Sequence, residues 1–318
     1  MKTRWILGAA GVAAAGTLVL AGIAGVHRAA DSVPSAPKAA HAALPGRPQS
    51  FLGVYRPGVP ESAAPVASFD SATGVKVNMA SYYSGWNEPF QAAFAAALAR
   101  DGAVPLVQVE PYGTTLAAIA DGDDDAYLLS YATAVREYGK AVVISFGHEM
   151  NGPWYPWGAG NTPASVFVAA WRHIVDVFRS DGADNVTWLW AVNVVAGSGG
   201  SVSDPAAWWP GGGYVTWVGV DGYYYQPSDT FTSLFSPTIT LIRRLTRDPL
   251  LIAETGISPS AQAAKLPGLF AGAKAAGVLG LVWFDDDKPS AHGPDHDWQI
   301  DNDPAALAAF RKAAEEYR

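Results

Sequence analysis

The segment from Gly147 to Gly158 holds the side chains of this sequence that are best suited to covalent chemistry. It brings together a carboxyl group, an imidazole, an amide and two indoles, carried by Glu149, His148, Asn151, Trp154 and Trp157. Cleavage of a glycosidic bond requires a proton for the leaving oxygen and flat apolar faces against which sugar rings can pack. The segment therefore indicates a site for carbohydrate hydrolysis.

Glycosidic hydrolysis usually requires a second carboxyl group on the other side of the sugar. Glu254 is the candidate, because it ends the apolar run Leu250–Ala253 much as Glu149 follows the apolar run Ala141–Phe146. In enzymes that retain the anomeric configuration, the two carboxyl groups lie about 5–5.5 Å apart and one of them attacks the sugar. We therefore expect Glu149 and Glu254 to meet across one glycosidic oxygen.

Short apolar runs alternate with helical segments along most of the chain. Eight runs are predicted to be strands: Phe51–Tyr55, Lys76–Tyr82, Pro105–Glu110, Ala141–Phe146, Val186–Val192, Val215–Val220, Leu250–Ala253 and Leu279–Phe284. The predicted helices are Pro89–Arg100, Asp124–Tyr138, Pro163–Ser180, Phe231–Thr246, Ala261–Ala276 and Pro304–Tyr317. This alternation predicts an α/β fold, a single (β/α)8 TIM barrel over residues 49–318. A doubly wound open sheet is the alternative, although no glycine-rich phosphate motif opens the first helix.

A barrel of this kind gathers its active-site residues at the carboxyl ends of its strands. The chemically capable residues predicted to lie there are Glu110, Glu149, Asn193, Asp221, Tyr223, Glu254, Trp283 and Asp285. Glu110 is expected either to contact sugar hydroxyls or to order the loop that follows it, and both interpretations stay open. Trp154 is expected to contact a sugar ring, since an exposed indole offers a stacking face.

At these positions the sequence resembles glycoside hydrolase family 26, the β-mannanase family of retaining barrel glycosidases. The fourth-strand motif of that family is matched by His148–Gly152 followed by Trp154 and Trp157. Its sixth, seventh and eighth strands are matched by Gly219–Tyr223, Ala253–Gly256 and Trp283. The resemblance extends from about Phe51 to Phe310, and the fourth-strand motif is its most specific part.

The resemblance implies that Glu149 is the general acid/base and that Glu254 is the nucleophile. The positions implied to bind or surround the substrate are His148, Trp154, Tyr223 and Trp283. Asn151 and Glu110 are also predicted as substrate-binding residues, apart from any role that the resemblance implies. Tyr223 would hydrogen-bond the nucleophile, and His148 would steer the acid/base region. Many members have Arg three residues before the His, where this chain has Ser145, and that departure bears on substrate identity more than on mechanism.

Other acidic patterns have different interpretations. His148-Glu149 does not continue into a His-Glu-x-x-His zinc motif, because Gly152 stands at the fifth position. Asn87–Pro89 resembles the acid/base motif of sister families, but it follows the second predicted strand, so we predict a capping role there.

The acids of Asp285–Asp287 and Asp295–Asp297 could bind calcium, yet a solvated acidic loop is the preferred interpretation. The sequence therefore predicts no metal ion and no organic cofactor.

Composition limits the partners of the protein. The 318 residues carry a formal net charge of −8 and contain no Cys. An acidic chain is a poor nucleic-acid binder, which favours a neutral polysaccharide or oligosaccharide as partner. Without disulfides, the stability must come from the core of a domain of this size. We expect a monomer.

The N-terminal segment is predicted to direct export. Lys2 and Arg4 precede an uncharged, apolar run from Trp5 to Val26. Residues 1–28 are therefore a signal peptide or an N-terminal membrane anchor, since the run exceeds the usual apolar region of a signal. Residues 29–48, rich in Ala and Pro, are predicted to be a linker. The protein is expected to be secreted or tethered at the outer face of the plasma membrane.

Together these features predict a retaining, endo-acting glycoside hydrolase that cleaves the β-1,4-mannosidic linkages of a mannan. A β-1,3-1,4-glucanase or a β-xylanase is the alternative, and a non-catalytic sugar-binding protein is a third hypothesis of a different class.

Overall fold

The computed structural model describes residues 44–196, 202–286 and 297–318. The predicted signal or anchor, most of the predicted linker, the glycine-rich loop Gly197–Gly200 and residues 287–296 of the acidic loop lie outside these ranges. Within them, no helix combines the length and the apolar character that a membrane crossing requires.

Eight parallel strands close into a barrel in sequence order, with β8 hydrogen-bonded to β1. They are β1 (Phe51–Tyr55), β2 (Met79–Gly85), β3 (Val104–Glu110), β4 (Val142–Phe146), β5 (Val186–Asn193), β6 (Trp217–Tyr224), β7 (Leu250–Ile257) and β8 (Gly280–Phe284). The predicted (β/α)8 barrel is confirmed, and the open sheet is excluded because an open sheet has edge strands. Every predicted strand is present, with bounds that differ by a few residues.

The helices are α1 (Ala64–Thr73), α2 (Ala92–Arg100), α3 (Leu116–Asp121), α4 (Asp125–Tyr138), α5 (Ala164–Asp181), α6 (Phe231–Leu245), α7 (Gln262–Ala275) and α8 (Pro304–Tyr317). Two of these helices, α1 and α3, are not predicted by the sequence pattern. The helix α1 has a weak apolar periodicity, and α3 has only six residues. Between β5 and β6, the described residues contain a single 3₁₀ turn, Pro205–Trp208, in place of a full helix.

The barrel interior begins with an apolar layer that positions the residues above it. This layer consists of Phe51, Met79, Leu106, Val143, Leu189, Trp217, Leu251, Ala253, Leu279 and Val282. Side chains alternate along a strand, so residues four positions further along β1, β2, β3, β5 and β6 also point inward. Those residues are Tyr55, Tyr83, Glu110, Asn193 and Asp221, and they form the upper layer at the carboxyl ends of the strands.

An irregularity in β7 brings Glu254 into the same layer. In the register with β6, Val220 pairs with Ile252 and Asp221 pairs with Glu254, so Ala253 is one extra residue on β7. A bulge of this kind changes which side of the sheet the following side chains face. It places Glu254 beside Asp221 on the inside, where regular alternation would have turned it outward.

A buried ion pair ties the ends of β1 and β8 together. The Nε of Arg56 lies 2.6 Å from Oδ2 of Asp285, and its terminal nitrogen lies 2.7 Å from Oδ2 of Asp301. Asp285 also accepts a hydrogen bond of 2.9 Å from the backbone N–H of Ile300. Asp285 is therefore a structural residue that anchors the segment before α8.

The Arg56→Met variant is expected to lose about 3 kcal/mol of unfolding free energy, because it leaves the fully buried Asp285 without its cation. Urea denaturation followed by circular dichroism measures this loss. Arg100→Met on the exposed end of α2 is the control, with a change within about 0.5 kcal/mol. Equal stability of the two variants would show that the buried pair contributes nothing.

Candidate active site

Glu149 stands in a strained backbone conformation just beyond β4. Its φ is +54°, and Gly147 has a φ of +53°. A non-glycine residue in this region costs about 1–3 kcal/mol and persists only where other contacts hold it. Here the backbone N–H of Glu149 donates to the carbonyl of Ala191 on β5 at 3.0 Å. This contact directs the carboxyl group across the mouth of the barrel.

Both carboxyl oxygens of Glu149 accept hydrogen bonds. Oε1 accepts from Nδ2 of Asn193 at 2.5 Å, and Oε2 accepts from the indole N–H of Trp154 at 2.8 Å. Burial raises the pKa of Glu149, and the negative charge of Glu254 raises it further, while these two N–H donors lower it. The balance raises the pKa of Glu149 above its ordinary value, so this carboxyl group can hold a proton near neutral pH.

Glu254 is held between two phenols. Tyr223 on β6 donates its hydroxyl to Oε1, and Tyr83 on β2 donates its hydroxyl to Oε2. Burial raises the pKa of Glu254, but both phenol donors favour the ionised form and lower that pKa. Because the charge of Glu254 raises the pKa of Glu149, the proton of the pair resides on Glu149. The arrangement thus supplies one acid and one anionic nucleophile.

His148 is a buried, neutral member of the wall beside this pair. Its Nε2 lies 3.1 Å from the hydroxyl of Tyr155, and its ring lies 5.6 Å from that of Tyr83. Burial lowers the pKa of His148 to about 3, so the imidazole is uncharged at neutral pH. Its carbonyl accepts a 2.8 Å hydrogen bond from the indole of Trp157. His148 therefore orients aromatic neighbours and adds no positive charge.

The segment that carries this site is similar in sequence to a known protein family. The sequence model of Glycosyl hydrolase family 26 matches residues 128–259, which include both carboxylates. Endoglucanase H of Acetivibrio thermocellus is 29% identical over 273 residues, which are 80% of this chain and 29% of that protein. Over residues 128–259 the chain matches glycoside hydrolase family 26, and most of its length is similar to Endoglucanase H. Family 26 is a retaining family.

A second curated protein is similar in sequence, and a solved structure is similar in fold. Mannan endo-1,4-β-mannosidase A and B of Caldalkalibacillus mannanilyticus is 27% identical over 145 residues, covering 43% of this chain and 24% of that protein. The chain thus spans less than a third of the length of either curated relative. A solved mannanase of Bacillus subtilis shares the fold, with 18% identity, a TM-score of 0.62, and coverage of 86% of this chain and 88% of the other.

The structure corrects the expectation that Asn151 binds substrate. Asn151 is fully buried, and its amide is occupied by the protein. Its Nδ2 donates to the carbonyl of Asn193 at 2.9 Å and to that of Ser203 at 3.2 Å, and its Oδ1 accepts from the N–H of Asn193 at 2.9 Å. Asn151 therefore fixes the backbone of Asn193, whose side chain in turn holds Glu149.

The expectation that Trp283 shapes the pocket is also corrected. Trp283 is fully buried; its ring lies 6.1 Å from that of Phe310 on α8, and its N–H donates to the carbonyl of Trp298. The next residue, Phe284, faces the barrel mouth instead and stacks on Tyr55 at 4.7 Å. Alternation along β8 is the reason, because Val282 belongs to the interior layer and Trp283 consequently points outward.

The other predicted residues lie around the barrel mouth. Tyr223 contacts Glu254, and Trp154 has 43% of its surface exposed beside Glu149. Glu110 faces inward and is half-buried. Burial raises the pKa of Glu110 to about 7, with further contributions from Glu254 and Glu88.

Two further carboxyl groups, those of Glu88 and Asp221, lie near the site. Glu88 accepts a 2.9 Å hydrogen bond from the N–H of Gly85 and so closes the turn after β2, whereas α2 begins only at Ala92 and has no side-chain cap. Asp221 is fully buried, and its two carboxyl oxygens accept no hydrogen bond from the described part of the chain. Burial raises the pKa of Asp221 well above its ordinary value, as do the charges of Glu254 and Glu149. No cluster of three metal-ligating side chains occurs among the described residues.

Tyr83 is a site residue that the sequence pattern does not predict, and for Asn193 the pattern predicts a position but no role. The signal for Tyr83 was its spacing of four residues from Met79, which places both side chains inside the barrel. The apolar run that predicts this strand ends at Tyr82, one residue before Tyr83.

The Tyr83→Phe variant is expected to shift the acidic limb of the kcat/KM profile to higher pH by about one unit. The active enzyme needs Glu254 ionised, and the loss of one donor raises the pKa of Glu254, so activity is lost at a higher pH as the pH falls. Tyr138→Phe, whose hydroxyl bonds to the carbonyl of Ala95 between two helices, is the control. An unchanged acidic limb would refute the role of Tyr83.

The Asn193→Ala variant is expected to shift the alkaline limb to higher pH and to lower kcat about tenfold or more. Glu149 must be protonated, and removal of a donor raises its pKa, so the proton is lost at a higher pH. Asn151→Ala should shift the same limb, and the double variant should be little worse than either single variant.

Asn185→Ala is the matched control for this pair, because Asn185 is a buried amide that bonds to the carbonyls of Val135 and Lys140 away from the carboxylates. It should lower stability without moving either limb. A pH profile for Asn151→Ala equal to that of the parent enzyme would contradict the positioning role.

Proposed function

We propose that this protein is an exported, retaining glycoside hydrolase that cleaves internal β-linkages of a neutral polysaccharide. The observation that carries the proposal is the environment of the two carboxyl groups. The carboxyl group of Glu149 is buried and accepts hydrogen bonds from two N–H donors, and that of Glu254 accepts hydrogen bonds from two phenols. Two carboxyl groups with different protonation states supply the acid and the nucleophile of a double displacement.

In the first step, the carboxylate of Glu254 attacks the anomeric carbon while Glu149 gives its proton to the departing glycosidic oxygen. The covalent glycosyl-enzyme carries no charge on Glu254, so the pKa of Glu149 falls and the residue becomes a base. In the second step, Glu149 takes a proton from water, and the water oxygen displaces Glu254 from the sugar. The Trp154 and Asn193 donors stabilise the anionic form of Glu149 between the two steps.

β-1,4-Mannan is the substrate that we propose, on the motif around Glu149 and on the similarity to mannan endo-1,4-β-mannosidases. A β-glucan is the second candidate, favoured by the 80% of this chain that aligns with endoglucanase H. Initial rates on mannan, mixed-linkage β-glucan and β-xylan, measured as new reducing ends, distinguish these candidates. Mannan should give the highest kcat/KM.

The Glu254→Ala and Glu149→Ala variants should each lose at least about 1,000-fold of the polysaccharide activity while keeping the circular dichroism spectrum and the Tm of the parent. Azide should restore cleavage of an activated aryl β-glycoside in both variants. The product should be the α-glycosyl azide with Glu254→Ala and the β-glycosyl azide with Glu149→Ala, because azide replaces the nucleophile in one case and water in the other.

Glu88→Ala is the matched control, since Glu88 is a neighbouring carboxylate that bonds to the turn at Gly85. It should keep activity within about threefold of the parent. Near-parental activity in Glu149→Ala or Glu254→Ala, or inversion at the anomeric carbon in the parent, would refute the mechanism.

Export is part of the proposal and rests on the apolar run Trp5–Val26 after Lys2 and Arg4. Mass spectrometry of the mature N-terminus separates a cleaved signal from a retained membrane anchor. A cytoplasmic protein with an intact N-terminus would contradict export.

A further inference from the structure

Glu110 presents a carboxyl group at the barrel mouth that no part of the reaction uses. It is the last residue of β3, and it lies four positions beyond Leu106 of the interior layer, so its side chain points inward. It pairs in register with Gly85 on β2, which has no side chain to cover it. Within the described residues, the carboxyl group of Glu110 accepts no hydrogen bond.

Tyr112 presents an aromatic ring two residues later. Its side chain is 48% exposed, and Leu129 and Trp154 are the other large apolar side chains with comparable exposure in the described ranges. The ring of Tyr112 rests against the buried indole of Trp157, with centroids 5.0 Å apart and an interplanar angle of 68°. One face or edge of the ring is thus fixed by the protein while much of the ring remains open to solvent.

A tight turn holds these two groups in a defined relation. The N–H of Tyr112 donates to the carbonyl of Glu110 at 2.9 Å, with Pro111 between them. A three-residue turn with a central proline has little conformational freedom, because the ring of the proline fixes φ. The carboxyl group and the aromatic ring are therefore presented together and do not depend on a mobile loop.

Residues other than Glu110 order the loop that follows β3. Thr115 caps α3 by accepting a 3.1 Å hydrogen bond from the N–H of Ala118. Thr114 donates to Asp124 at 2.7 Å, which joins the loop to the start of α4. Because these threonines already fix the segment, the interpretation of Glu110 as a loop-ordering residue loses its support.

We propose that Glu110 and Tyr112 form a subsite for a sugar unit next to the pair of sugars that is cleaved. The carboxyl group binds hydroxyl groups of that sugar, and the exposed ring packs against its C–H face. The inference rests on the proposed function, since it extends the same substrate along the β1–β3 side of the mouth. Tyr83 on β2 and Tyr55 on β1, which belong to the same upper layer as Glu110, are also partly exposed there.

The chain-length dependence of binding tests this subsite. Calorimetric titration of the Glu254→Ala protein with oligosaccharides of two to six units, in both the mannan and the β-glucan series, gives Kd for each length. Adding Tyr112→Ala should raise Kd of the longer oligosaccharides about threefold to tenfold. Adding Glu110→Gln should raise it about tenfold, because the charged acceptor is lost. Kd of the disaccharide should not change.

The controls separate the subsite from a general effect on the fold. Tyr112→Phe keeps the ring and should bind all lengths as the parent does, and Leu129→Ala removes an exposed apolar side chain from α4 without effect on any length. In the active enzyme, Glu110→Gln should raise KM for polysaccharide about tenfold and leave kcat nearly unchanged.

If the Glu110→Gln and Tyr112→Ala variants lost affinity equally for short and long oligosaccharides, or lost none for any length, the proposed subsite would be refuted. The proposed function would stand in that case, provided that the parent enzyme hydrolyses polysaccharide. A fall in kcat without a change in KM would also overturn the subsite, because Glu110 would then act on the reacting sugar. Failure of the parent to bind or cleave any oligosaccharide would overturn both this inference and the proposed function.

Discussion

The arrangement at the barrel mouth depends on the electrostatic interaction between two buried carboxyl groups. Both Glu149 and Glu254 lose hydration, and burial alone would raise the pKa of each. Two phenol donors stabilise the anion at Glu254, and that anion then raises the pKa of Glu149. A single proton consequently belongs to one member of the pair. The division between acid and nucleophile follows from the neighbours of each carboxyl group, since the two side chains are chemically identical.

The positions of both carboxyl groups depend on irregularities of the backbone. Glu149 needs a left-handed φ of +54° after β4, and Glu254 needs the extra residue Ala253 on β7. In a regular barrel, the inward positions are fixed by alternation from the apolar layer below, and Glu254 would fall on the helix side. The strain at Glu149 is offset by its hydrogen bond to Ala191 and by the packing of the Trp157 segment. Stability of the surrounding wall is thus a condition for the geometry of the site.

The sequence was sufficient for the parts of the structure that depend on pattern. Apolar runs predicted the eight strands, and the carboxylates at their ends predicted Glu149 and Glu254 as neighbours in space. Roles that depend on the direction of a side chain are harder to predict from the sequence. Trp283 and Phe284 are adjacent aromatic residues, and only the register of β8 decides that Phe284 faces the mouth. Asn151 lies beside Glu149 in sequence, yet its amide faces Asn193, forty-two residues away.

Packing of aromatic rings beside Glu149 explains why the aromatic content of the segment after β4 is high. His148, Tyr155 and Trp157 form a stack in which Tyr155 and Trp157 lie 4.5 Å apart at an angle of 9°, and His148 meets Tyr155 edge-on at 4.9 Å. A charged imidazole in this position would lower the pKa of Glu149 and promote loss of its proton. Burial keeps His148 neutral, so the wall excludes water from the acid without adding a positive charge. The same stack supports Tyr112 at its outer end, which connects the acidity of Glu149 to the surface on which we propose a neighbouring sugar to rest.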